Sequence, residues 1–309
     1  MSLADYANFS NYAVASATVV LALSWLAYLA EWGFARQVAP TRELVPAGAP
    51  TAALEANDER SEVAGGIGTS LAGLSWFVLL AAVVARGLAA QRVPWGNMYE
   101  FACAAILVSL TVYLILVRMW GIDWLGAFVT GFGVVVLGLS MLVYVPAGPL
   151  VPALHSYWLV IHVAGAMIAG SAFLVGAGAS ALYLIKSRAE RLTPEDERHG
   201  YLWKLPTSAA MDRIAYRVNA FAFPIWTFAA LIAGPIWAQY AWGRYWGWDP
   251  KEVWAFITWV VYAGYLHARV TAGWKGKAAA IIALIGFATF IFNFVGVNLY
   301  VPGLHSYAK

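Results

Sequence analysis

The sequence predicts an all-α, polytopic integral membrane protein of about eight transmembrane helices, and three observations predict it. Hydrophobic residues make up 62% of the 309-residue chain and charged residues 11%, with a mean hydropathy of +0.68, whereas a soluble domain is roughly a quarter charged. Apolar runs of roughly 20 residues recur along the chain, each enough at about 1.5 Å per residue to cross a ~30 Å hydrocarbon core. Lysine and arginine are shared unequally between alternate loops, as the positive-inside rule requires.

The first run, residues 13–32, follows a stretch with an Asp and no Lys or Arg. It lacks the basic start of a signal peptide and is long enough to span, so it reads as a retained helix. Residues 39–66 are rich in Ala, Pro, Gly and charge, with a polar run from Glu55 to Glu62, and read as a mobile cytoplasmic loop. Residues 1–66 thus form a first helix and loop, and 67–309 the main membrane domain. Further runs at 67–87, 99–119, 124–145, 156–185, 218–240, 253–272 and 278–298 complete the eight helices, and 156–185 is long enough to project beyond the bilayer.

Fourteen of the 19 Lys and Arg fall in one alternate set of loops, between Arg36 and Arg60, at Arg118, between Lys186 and Arg217, and between Arg269 and Lys277. That set is cytoplasmic by the positive-inside rule. Both termini and the segment 242–254 then face outward. The largest cytoplasmic loop, 186–217, holds no catalytic constellation; residues 209–217 could form a short surface helix, and His199 reads as a solvated surface residue. No internal repeat is visible, which disfavours a repeat-built transporter. The single cysteine, Cys103, sits inside an apolar run. The chain therefore has no CxxC redox pair and no CxxCH for covalent haem, and Cys103 reads as a small buried apolar side chain.

Residues 242–259, WGRYWGWDPKEVWAFITW, hold five of the 16 tryptophans between two apolar runs. An interfacial tryptophan belt is the plain explanation, but it does not account for the density or for Gly243 and Gly247 between the rings. Flat indole faces beside tight turns suit a large planar apolar ligand such as haem. Asp249, Pro250 and Glu252 have the order of an N-cap, a proline at N1 and a glutamate at N3, so the next helix starts there. Arg244 and Lys251 could pair with haem propionates, or could simply snorkel at the interface.

Among the five histidines, His162 lies near the outer end of its helix, where a histidine marks function or simply bonds a neighbouring carbonyl. His305 follows a Pro302-Gly303 turn that could fold the tail over the outer surface, or it is merely solvated. His155, seven residues before His162 and near the same helical face, is an alternative ligand. His267 lies 18 residues beyond Asp249, near the cytoplasmic end of its helix.

The tryptophan-rich run resembles the WWD signature of haem-handling membrane proteins, and its DPKE continuation resembles the CcsA/ResC branch of system II cytochrome c biogenesis. The likeness extends to PWGNMYEF (94–101), YWLVIHV (157–163), GYLHAR (264–269), GWKGK (273–277) and GVNLYVPGLHSY (296–307), about the last two thirds of the chain. The resemblance implies a haem-handling domain over 67–309 with the WWD segment at 242–254, in a bacterial cytoplasmic (inner) membrane. It implies non-covalent b-type haem, iron protoporphyrin IX. His162 and His305 would be axial ligands on the outer face, with Trp242, Trp246 and Trp248 packed around the macrocycle and Asp249 fixing the turn. His267 would pair with a histidine of a ResB/CcsB-like membrane subunit at an inner haem site. The implied activity is transport of haem across the membrane and its presentation for thioether attachment to apocytochrome c CxxCH motifs. The chain would then be the haem-ligating subunit of a cytochrome c haem lyase (holocytochrome c synthase), working with thiol-reducing proteins of the pathway and with no nucleic acid. Two other functions compete: a haem exporter or chaperone without ligase activity, and a bis-His membrane b-type cytochrome.

Overall fold

In a computed structural model, which describes residues 1–36, 51–150 and 152–305, the chain is built of helices, with no strand among the described residues. Eleven are α-helical: α1 (Leu3–Arg36), α2 (Thr51–Ala90), α3 (Met98–Trp120), α4 (Gly126–Ser140), α5 (Tyr157–Leu192), α6 (Tyr201–Lys204), α7 (Ser208–Phe228), α8 (Gly234–Trp242), α9 (Pro250–Val270), α10 (Lys277–Ile291) and α11 (Val297–Tyr300). Two π-helical turns, Ala229–Ala233 and Phe292–Gly296, join α7 to α8 and α10 to α11 into continuous rods.

Among the described residues, seven helical stretches are long and apolar enough to cross a membrane. The expected eighth, α9, falls outside that set because its tryptophans, tyrosines, His267 and Arg269 dilute its hydropathy. It nevertheless runs alongside the α7–α8 rod, tied to it near both ends. Asp249, its cap, follows closely on Trp242 at the end of α8, and Arg269 near its other end pairs with Asp212 in the second turn of α7 at 2.7 Å. With 21 residues, α9 reaches about 31 Å.

The centre of the bundle is α5, two thirds of whose apolar window is buried. Its small residues let neighbours approach closely, as membrane helix pairs require. A Cβ on Gly165 would stand 2.9 Å from that of Ala229, and one on Gly170 would enter the Phe290 ring. Between α5 and α9, Phe173 stacks on Tyr262 with centroids 3.8 Å apart, and buried Trp226 of α7 packs edge-on to both Phe173 and Phe290. At 36 residues, about 54 Å, α5 projects well beyond a bilayer, as its length in the sequence predicts. Cys103 is buried, also as predicted.

Two expectations are corrected. Residues 51–66, predicted as loop, are the first part of α2: Ala, Leu and Glu after Pro50 are strong helix formers, and helix packing against α1 overrides the polar composition. The rest of that loop, residues 39–50, lies outside the described residues. Residues 209–217, predicted as a surface helix, are the opening turns of α7, capped by Thr207 and continuous with the membrane segment.

Candidate functional site

At the end of the bundle where α8 stops and α9 begins, a cavity of about 130 Å³ opens between α5, α8, α9 and the segment after α11. The sequence builds its floor locally. Gly243, with φ +71°, ends α8 in the left-handed conformation. Asp249 then caps α9: its side chain accepts from the Lys251 N–H at 3.1 Å, while Glu252 accepts from the Asp249 N–H at 3.0 Å, a reciprocal capping box. Glu252 also accepts from the Gly247 N–H at 2.8 Å. One carboxylate oxygen thus grips the N–H groups on both sides of Trp248, which stands at φ +57°, a conformation costing a non-glycine residue about 1–3 kcal/mol.

His162 and His305, separated in sequence by most of the domain, both line this cavity, together with Trp242, Trp246 and Lys251. His162 enters from α5, and its Nδ1 lies 2.8 Å from the carbonyl oxygen of Ala229. That oxygen belongs to the first π turn, where it also accepts from the Gly234 N–H; such turns are frequent at functional sites. Pro302 and Gly303 fold the chain back, and His305 Nδ1 comes within 2.8 Å of Asp249 Oδ1. The Leu304 N–H donates to the other Asp249 oxygen at 2.7 Å, which leaves no room for a side chain at Gly303. Asp249 is therefore at once the cap of α9 and the anchor of the tail. Burial would raise its carboxyl, but the hydrogen bonds from His305, Leu304 and Lys251 outweigh it and hold the pKa at about 2.

Since a carbonyl and an ionised carboxylate can only accept, both histidines carry their proton on Nδ1. The lone pair is then on Nε2, the tautomer that serves an axial iron ligand, and an oxygen behind Nδ1 raises its basicity. Two buried polar atoms on the wall, Trp246 Nε1 and Asn293 Oδ1, have no hydrogen-bond partner among the described residues. Aromatic walls, two oriented imidazoles and polar atoms awaiting a partner fit a porphyrin.

The other predicted positions divide. Trp242 packs edge-on to His305 with centroids 4.9 Å apart. Trp248 is 68% exposed and does not line the cavity, although its ring meets Trp246 edge-on. Arg244 is exposed and off the wall. His155 is exposed, with Nε2 3.3 Å from the Leu150 carbonyl, and lines a separate shallow depression. His267 is exposed at the far end of α9, next to Thr271, about 27 Å along the helix from Asp249; His199 is exposed in the same half of the bundle.

Two contributors escaped the sequence reading. Trp237 stacks on His162 (5.9 Å, 11°) and also contacts His305 at 5.6 Å, so one buried indole touches both histidines. Lying five residues before Trp242, outside the dense run, it carried no signal beyond being a tryptophan. Glu100 is fully buried between Arg86 (3.0 Å) and Arg92 (2.7 Å) and accepts from the Gly96 N–H. It pins the turn that brings Trp95 and Met98 to the cavity; an acid eight residues after an arginine was the available clue.

A polytopic helical membrane protein with a tryptophan- and histidine-lined cavity at one end is thereby defined. Residues 95–305 match the family described as cytochrome C assembly protein. Cytochrome c biogenesis protein CcsA of Synechococcus sp. (strain CC9902) is 34% identical over 267 residues, covering 78% of this chain and 86% of its own length. That of Trieres chinensis is 35% identical over 254 residues, covering 72% and 80%. The solved structure of cytochrome c heme lyase CcmF shares the fold, with a TM-score of 0.64 at 17% identity over 94% of this chain; the match spans 46% of that longer chain. The chain belongs to the cytochrome c assembly family, as a protein of the CcsA type that acts in cytochrome c biogenesis.

Proposed function

We propose that the protein carries haem across a bacterial cytoplasmic membrane and holds it at the outer face for thioether attachment to apocytochrome c. The observation that carries this reading is the convergence of His162 and His305, each with Nδ1 on an oxygen, at one aromatic cavity. In this role His162 and His305 would hold the iron through Nε2. Trp237 holds both imidazoles in orientation, and Trp242 and Trp246 shield the macrocycle from water. Haem, as b-type non-covalent substrate, supplies the two vinyl groups that accept the cysteine sulfurs of CxxCH. The chain's share is positioning, so it works as the haem-ligating part of a lyase whose ResB/CcsB-like partner supplies the second histidine for an inner site at His267.

A bis-His electron-transfer cytochrome fits less well, because among the described residues His267 has no second histidine on a facing helix at its depth. The test is spectroscopic. The purified complex should hold six-coordinate, low-spin haem at the cavity, and His162→Ala or His305→Ala should lose that share of the low-spin haem together with maturation of a co-expressed reporter apocytochrome. An undiminished amount of low-spin haem in both variants would dismiss the histidine pair.

A further inference from the structure

Of the two cations in the tryptophan-rich segment, only Lys251 reaches the cavity. It sits in the first turn of α9, and its ammonium donates to Asn298 Oδ1 at 2.7 Å and lies 5.4 Å from the Phe294 ring centre. Asn298, itself buried, is oriented by its amide, which donates to the Phe294 carbonyl at 2.7 Å and to Met98 Sδ at 3.0 Å. The neighbouring carboxylates are committed elsewhere: Glu252 to the Gly247 and Asp249 N–H groups, Asp249 to His305 and Leu304. Lys251 therefore has no ion pair among the described residues, although an ammonium has three protons to donate. An amine so placed, in an aromatic wall, lacks only an anion.

The geometry points to Lys251, held in place by Asn298, as a carboxylate subsite of the cavity, which takes a propionate of the porphyrin and so fixes which edge of the ring faces α9. This rests on the haem reading above and adds to it a requirement on the ligand's periphery. A charged hydrogen bond in a partly buried site forms with the propionate and cannot form with its ester. The ring edge opposite the propionates, where the vinyl groups are, is then turned away from α9.

The full-length protein in nanodiscs, titrated with haem or with haem dimethyl ester and followed by the Soret band, tests this without a turnover assay. Wild type should bind haem about tenfold more tightly than the ester, as the loss of one charge-assisted hydrogen bond implies. Lys251→Met should bring haem down to the affinity of the ester and leave the ester unchanged, Lys251→Arg should keep the preference, and Arg244→Gln should behave as wild type. Equal binding of haem and ester by wild type overturns the subsite while leaving the histidine ligation standing, and needs no variant to fold. A Lys251→Met protein that still discriminates also overturns it. Binding of neither compound by wild type overturns the haem reading and the subsite together.

Discussion

An imidazole binds iron only through a nitrogen with a free lone pair, so the atom behind Nδ1 decides whether a histidine is ready to ligate. At His162 that atom is the Ala229 carbonyl and at His305 the Asp249 carboxylate. Replacing either histidine by glycine leaves a hole of imidazole size; the low-spin haem of the cavity should be lost in each variant, and free imidazole should restore it in part. His199→Gly should change nothing and His155→Gly little, and a loss of spectrum in the His155 variant would make it the ligand instead. The pH dependence follows from His305, whose pKa lies below the ordinary 6.5 because burial disfavours its imidazolium more than Asp249 favours it. Between the folded and unfolded values the unfolded chain binds more protons, so stability rises with pH there and is lost as pH falls through the folded value. Haem occupancy should accordingly stay level down to about pH 6.5 and fall only on further acidification, since Asp249 remains ionised to about pH 2. A midpoint at or above the ordinary histidine value, read from the Soret band, would contradict that protection. Of these residues His162, His305, Trp242 and Asp249 were singled out by the likeness to the WWD signature, their own chemistry leaving other readings open. Trp237 was not, since nothing in a run of residues shows that one indole will touch two histidines far apart along the chain.

The helix junctions around the cavity are positioned by hydrogen bonds that a sequence shows only in part. The Asp-Pro-x-Glu order announced the start of α9, and the capping box is there. What it did not announce is that Glu252 holds both N–H groups flanking Trp248. Glu252→Ala should release the strained turn, lower stability by about 1–3 kcal/mol and weaken haem binding severalfold, whereas Glu252→Gln, which keeps an acceptor oxygen, should lose less. Unchanged thermal unfolding and Soret titration in the alanine variant would show that the turn holds without it. The π turns were invisible in the sequence because an extra residue in a helical turn leaves the apolar pattern nearly intact. Their effect is concrete: the first presents the Ala229 carbonyl to His162 beside Gly234, where a Cβ would stand 3.1 Å from Nδ1. Gly234→Val should displace the imidazole and shift the Soret band without preventing membrane insertion; a wild-type spectrum would show that the ring has room to spare.

At the scale of the whole molecule, seven of the eight traversals counted from apolar runs are long and apolar enough to cross a membrane among the described residues, and the eighth, α9, is too aromatic and polar to register by hydropathy alone. The Arg269–Asp212 pair ties the far end of α9 to the start of α7, while Asp249 and His305 close the near end. Hydropathy measures preference for lipid, and α9 satisfies much of its polarity inside the bundle, as the Trp259 Nε1 bond to Thr227 of α7 shows. Reporter fusions within 240–250 and after Lys309 should therefore share one side of the membrane, and fusions within 190–205 should lie on the other. A cytoplasmic reporter signal after Lys309 would reverse the assignment made from the basic residues. His267 sits exposed at the end of α9 away from the cavity, beside Thr271. If haem enters there, pairing with a histidine of the partner subunit, then His267→Ala in the assembled complex should deplete haem from both ends, whereas His305→Ala should empty only the cavity and leave haem held at His267. The two variants together give the order of the sites. Normal cavity occupancy in the His267 variant would mean that haem reaches His162 and His305 from the outer leaflet, and that α9 is a support for the cavity and no part of a route to it.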